Sequence, residues 1–120
     1  MTKLADKTCI PCQGDIPPLS TDMQQTLLQE IHERWTVEDG HHLLSTYTFP
    51  NFVQALAFTN AIGEIAEYEG HHPDILLSWG KVSLTIWTHK IDGLTEGDFV
   101  LAAKIDRLFD SQDFKNPKSS

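Results

Sequence analysis

The chain has 120 residues, enough for one hydrophobic core and too few for two. Its formal net charge of −8 disfavours DNA, RNA and anionic membrane surfaces as main partners, because phosphate needs concentrated Lys and Arg. No apolar run reaches the roughly 18 residues of a membrane span, and the opening MTKLADKTCIPCQGD lacks the apolar stretch of a secretory signal, so a cytoplasmic location is expected.

Residues 1–19 read as an irregular lead-in, with Pro11, Pro17 and Pro18 and little periodicity. The only cysteines, Cys9 and Cys12, lie there. Zinc usually takes four ligands, and no second pair follows at finger or ribbon spacing. A redox pair should open a helix after a strand, which the prolines oppose. A plain reduced pair is the expectation, with a borrowed metal or a redox role as alternatives.

The stretch STDMQQTLLQEIHERW predicts a helix, with Thr21 and Gln24 at capping-box spacing and Leu27, Leu28 and Ile31 on one face. His32 falls on it as a solvated side chain. Next, WTVEDGHHLLSTYTF predicts a hairpin turning at Asp39-Gly40. His41 and His42 follow that turn and are expected to be solvated, with no acid or proline locking them. The run NFVQALAFTNAIGEIAEYEG is the clearest helix. Asn51 serves as its N-cap, Phe52, Ala55, Leu56, Phe58, Ile62 and Ile65 recur at helical spacing, and Gly70 ends it in the left-handed conformation.

A second hairpin joins ILLSW through Gly80 to KVSLTIWTH. Val82, Leu84 and Ile86 alternate with Ser83, Thr85 and Trp87, so one face is buried. His89 shares the parity of Trp87, away from the aliphatic core. The last helix is TEGDFVLAAKIDRLF, with Thr95 and Asp98 at N-cap and N3 spacing. Residues 111–120 read as a flexible tail. The expected architecture is α+β in the order α-β-β-α-β-β-α: one domain over residues 20–110, a four-stranded antiparallel sheet with helices packed on one face.

Chemistry concentrates at EIAEYEGHHPD. Gly70 breaks the helix just before His71, and Pro73 pushes His72 toward extended backbone, so two imidazoles sit on a stiff corner. Glu67 lies one helical turn before His71 and can orient that ring. The second hairpin can return His89 to the same corner. Imidazoles exchange protons near neutral pH, so such a cleft can hold both an acid and a base. Three histidines and a carboxylate are also a common metal ligand set, although adjacent histidines in an extended turn point apart. Acid–base site, metal site and solvated turn all fit the spacing.

The wider pattern resembles one family. Glu67, three residues, His71-His72-Pro73, five residues, Trp79, nine residues, His89, eight residues and Asp98 follow in order. This matches the pterin-4a-carbinolamine dehydratases, and LAFTNAIGEIAEYEGHHPDILLSWGKVSLTIWTHKIDGLTEGDF is similar to the bacterial members associated with phenylalanine hydroxylase. The resemblance covers roughly Ser20 to Phe109. It implies dehydration of 4a-hydroxytetrahydropterin to quinonoid dihydropterin, recycling the pterin of aromatic amino acid hydroxylases, with no cofactor and no metal. It also implies His71, His72 and His89 as the active site, Pro73 and Thr88 beside the pterin, and Glu67 and Asp98 as supporting acids. Helix capping alone would also explain Asp98. Trp79 is expected in the core or cleft wall, and Trp35 is a candidate for the pterin pocket, against the default that both are packing residues. His32, His41 and His42 are expected to be replaceable within about twofold of wild-type turnover. Edge strands and the resemblance together imply a homodimer or homotetramer. A non-enzymatic interaction module of the same fold and a histidine-ligated metal hydrolase are the alternatives.

Overall fold

Two hairpins and the helix between them decide which residues meet at the end of the sheet. The computed structural model describes residues 4–6, 18–111 and 114. The helices are α1 (Thr21–Leu28), α2 (Phe52–Glu69) and α3 (Glu96–Ser111). The strands are β1 (Thr36–Glu38), β2 (His42–Thr48), β3 (Asp74–Ser78) and β4 (Lys81–Ile86). They pair antiparallel in the order β1-β2-β4-β3, which puts one strand of each hairpin at the centre. The fold is the α+β arrangement that the sequence predicts.

Period-two burial builds the sheet. Leu43, Ser45 and Tyr47 of β2 and Val82, Leu84 and Ile86 of β4 are buried, while the residues between them are more exposed. The Tyr47 ring meets Phe58 of α2 and Phe109 of α3, each at 4.9 Å between centroids, so both helices cover the same face. Asn51 Oδ1 accepts the Gln54 N–H at 2.9 Å and starts α2; Gly70, at φ 66°, ends it. Gly80 closes the second hairpin where a Cβ would lie 2.9 Å from the Phe49 carbonyl oxygen, so a larger residue would displace that backbone.

The structure departs from several expectations. The first helix stops at Leu28 and is capped by Ser20, whose Oγ accepts the Met23 N–H at 3.3 Å. Its expected last turn is pulled away because His32 N–H, Arg34 and the Trp35 indole all bond Asp106 of α3. Phe52 and Leu56 are exposed; the packed face of α2 is Ala55, Phe58, Ile62 and Ala66. β4 ends at Ile86, since the Thr88 N–H turns to Gly93 O at 2.9 Å and His89–Ile91 forms a short 3-10 turn. Phe114, within the expected tail, packs 5.0 Å from Phe58. In the lead-in, Leu4–Asp6 docks on α3: Lys104 Nζ donates to Ala5 O at 2.9 Å and Arg107 to Asp6 at 2.6 Å. Cys9 and Cys12, like most of the expected tail, lie outside the described residues.

Asp106 is the polar centre of the core. It accepts from Arg34 Nη1 at 2.5 Å, Tyr47 Oη at 2.6 Å and Trp35 Nε1 at 3.0 Å. Burial first, and then the Asp106 charge, push the Tyr47 hydroxyl well above its ordinary pKa of 10.0. The folded chain therefore keeps a proton that the unfolded chain releases above about pH 10. Stability from this group is intact below that pH and falls as pH rises toward the folded-state value, by about 1.4 kcal/mol per pH unit. Urea unfolding between about pH 9 and 11.5 checks this. Tyr47→Phe should flatten the alkaline slope; a slope unchanged in that variant would assign it to other groups.

Candidate active site

The strand register brings distant residues to one corner. β3 pairs with β4 up to Asp74 opposite Thr85. Continued by two and three steps, the same register sets His72 opposite Trp87 and His71 opposite Thr88. β2 pairs with β4 up to Leu43 opposite Ile86, which sets His42 opposite Trp87. The His-His-Pro corner and the segment leaving β4 are therefore neighbours because their hairpin is antiparallel. His89 follows in the short turn, and α3 starts just beyond.

The two imidazoles of the corner leave in different directions. After the left-handed Gly70, the His71 N–H bonds back to Ala66 O at 3.2 Å, and its ring is largely buried. His71 Nε2 lies 2.5 Å from Asp98 Oδ1. Asp98 is 0% exposed, yet its charge is satisfied: Oδ2 accepts from Thr95 N at 2.8 Å and Thr88 Oγ1 at 2.9 Å. With the Asp98 carboxylate as acceptor, the hydrogen in this bond lies on His71 Nε2, which leaves Nδ1 outside it. Asp98 thus both caps α3 and orients the ring. The two readings coexist.

His72 is exposed and bonds Glu67 Oε2 through Nε2 at 2.5 Å. This corrects the expectation that Glu67 would orient His71. One helical turn separates Glu67 from His71 in sequence, but after the left-handed Gly70 His71 turns to Asp98 and His72 meets the acid instead. His89 is exposed and stacks on Trp87, with centroids 4.2 Å apart and planes at 23°. An open cleft of about 340 Å³ lies among these groups, walled by Gly70, His71 and His72 on one side and by Trp87, Thr88, His89 and Lys90 on the other.

Of the residues singled out in the sequence, His71, His72, His89 and Thr88 line this cleft, with Glu67 and Asp98 bonded to its rings. Pro73 joins the corner to β3 and is half-buried. Trp35 is elsewhere: it is 2% exposed, lies in the core and donates to Asp106, so it packs and does not wall the pocket. Trp79 is also misplaced by the sequence reading. It is 68% exposed in the turn between β3 and β4, at the opposite end of the hairpin from the cleft. His41 and His42 are not a plain solvated pair. His41 Nε2 lies 2.6 Å from Asp92 Oδ1, and both rings stand against Trp87, at 5.5 and 6.1 Å. Trp87 and Lys90 are the lining residues that sequence reasoning missed; the strand register is the signal that could have found Trp87. Among the described residues, no three His, Cys, Asp or Glu side chains converge as a metal ligand set.

Comparison with known proteins supplies the family. The sequence model of the pterin 4 alpha carbinolamine dehydratase family matches residues 17–108. A protein of Alkaliphilus metalliredigens with the provisional name pterin-4-alpha-carbinolamine dehydratase is 56% identical over 107 residues, 89% of this chain and 96% of the relative. A protein of Rubrobacter xylanophilus with the same provisional name is 51% identical, over 90% of this chain and 100% of its own. The chain belongs to the pterin-4a-carbinolamine dehydratase family. Among solved structures, a transcriptional coactivator/pterin dehydratase from Brucella melitensis superposes with a TM-score of 0.71 at 26% identity, covering 76% of this chain and 97% of that one. A pterin dehydratase-like protein described as a RuBisCO assembly factor in the alpha-carboxysome superposes with a TM-score of 0.56 at 25% identity, covering 64% and 90%.

Proposed function

We propose that this protein dehydrates 4a-hydroxytetrahydropterin to quinonoid dihydropterin by histidine acid–base catalysis, recycling the pterin of an aromatic amino acid hydroxylase. The observation that carries the reading is the His71–Asp98 pair beside His72 and His89 in one cleft. In the reaction the bond from carbon 4a to its hydroxyl oxygen breaks, and the nitrogen 5 to carbon 4a double bond forms. One imidazolium gives a proton to the departing hydroxyl, which leaves as water. A neutral imidazole takes the proton from nitrogen 5, and the two rings re-equilibrate through solvent. The cleft volume falls within the roughly 300–1,000 Å³ of small-molecule sites, and Trp87 offers a flat apolar wall. Asp98 and Glu67 act as positioning acids, and Thr88 and Pro73 shape the wall and the corner. The His71 and His72 rings are committed to separate carboxylates, which disfavours a shared metal ion.

No described helix is long and apolar enough to cross a membrane; a cytoplasmic location is part of the proposal. The edge strand β3, with Leu76 exposed, supports a homodimer or homotetramer. The assembly-factor relative keeps a second reading in view, in which the fold serves only as an interaction module.

Dehydration kinetics on freshly generated carbinolamine test both readings. The expected result is acceleration over the uncatalysed reaction that survives treatment with a chelator. No acceleration would favour the interaction module. Activity lost on chelation and restored by zinc would favour a metal hydrolase.

A further inference from the structure

His71 and His72 are each held by a carboxylate, whereas among the described residues no carboxylate bonds His89. Its ring rests on Trp87, and its backbone belongs to a three-residue 3-10 turn. Such turns have poor hydrogen-bond geometry and do not hold a side chain by themselves. Something outside the turn must fix this wall of the cleft.

We propose that His41 and Asp92 are positioning residues for His89, acting through a closed ring of contacts around Trp87. The ring can be followed side chain by side chain. Asp92 closes the His89–Ile91 turn in the left-handed conformation, at φ 51°, with its N–H on His89 O at 3.2 Å. Its carboxylate reaches across to His41 Nε2 at 2.6 Å. The His41 ring stands 5.5 Å from Trp87, and Trp87 stacks on His89 at 4.2 Å. His42 closes the remaining gap, with Nδ1 3.2 Å from His41 Nδ1 and its ring 6.1 Å from Trp87. The turn between β1 and β2 thereby braces the loop between β4 and α3. Asp92 lies 51 residues from His41, so the link is purely tertiary.

The brace differs from a general stabiliser. The Asp92 side chain is 87% exposed, and an ion pair that open to solvent adds little to global stability. Its consequence is local: it decides where the His89 ring lies. In the proposed dehydration, on which the kinetic part of this inference rests, a misplaced ring transfers its proton poorly while the remaining wall still binds pterin.

The experiment uses the full chain and four variants: His41→Ala, His41→Gln, Asp92→Asn and His89→Ala. The first measurement needs no activity. In proton–nitrogen NMR, the His89 ring protons and the Trp87 indole N–H report the stacked geometry through ring-current shifts. His41→Ala should move both toward unstacked values with the melting temperature nearly unchanged. His41→Gln, whose amide can still donate to Asp92, should largely restore them. Asp92→Asn should give an intermediate shift, and it reads the same contact should His41→Ala fail to fold. The second measurement is turnover. His41→Ala should lower kcat about 3- to 10-fold with KM within about twofold, and should cost nothing more when added to His89→Ala, because a residue acting through another is not additive with it.

Unmoved His89 signals in both His41→Ala and Asp92→Asn would overturn the proposal. So would an undiminished kcat effect in the His89→Ala background. A wild type without dehydration activity would sink the proposed function alone, since the NMR shifts still decide the brace.

Discussion

His71→Ala should lower dehydration turnover by about 10²-fold, the low end of the range for a positioned proton-transfer group. The low end applies because the cleft is open and water can enter the vacated space. His71 should exceed His72 and His89, which are expected to cost about tenfold each. Both of those rings are exposed, whereas His71 is clamped by a carboxylate with no exposure of its own. Asp98→Asn gives the complementary result. Asn keeps the shape and one acceptor but removes the charge that fixes the Nε2 tautomer, so turnover should fall about tenfold with the chain still folded. Steady-state kinetics with circular dichroism on each variant provide the check. A folded His71→Ala with wild-type turnover would place the chemistry on other residues.

Asp106→Ala should be the most destabilising single change, at about 3–5 kcal/mol. Removing this carboxylate leaves the Arg34 guanidinium only Asp110 at 3.9 Å and strands the Trp35 indole N–H and the Tyr47 hydroxyl. The backbone N–H of His32, 3.2 Å from Oδ2, loses its acceptor as well. Arg34 cannot simply shed its charge, because a guanidinium stays protonated in proteins whether or not its partner carboxylate is present. A domain is stable by only about 5–15 kcal/mol, so the variant should melt far below wild type or fail to fold. Urea unfolding measures it, together with Asp106→Asn, which retains an acceptor and should cost less. A loss under about 1 kcal/mol for Asp106→Ala would show that water replaces the missing acceptor.

The readable parts of the sequence were those with local causes. Alternation at Val82, Leu84 and Ile86 marked the buried strand, and Asn51 and Gly70 bracketed the long helix through their own backbone chemistry. The misread parts had distant causes. Nothing near Leu28 announces that the first helix must end there; the cause is Asp106, 74 residues from His32. Helical spacing joined Glu67 to His71, but one left-handed residue handed the acid to His72. The second hairpin already allows His89 to return to the His71 corner, the family resemblance groups them as a site, and strand register gives the meeting a physical reason. The acid partner of His41 lies in a loop that no local pattern connects to it.

Asp98 starts a helix with one carboxylate oxygen and holds a ring with the other. This has a bearing on how such a domain diverges over generations. A lineage that abandons chemistry and keeps the scaffold can discard the exposed His72 and His89 at little structural cost. It cannot discard Asp98 as cheaply, because the start of α3 loses its cap and a buried Thr88 hydroxyl loses its acceptor. The acid would therefore outlast the activity. An intact aspartate in a relative is weak testimony for a working enzyme, and the fate of the two solvent-facing imidazoles is the better witness.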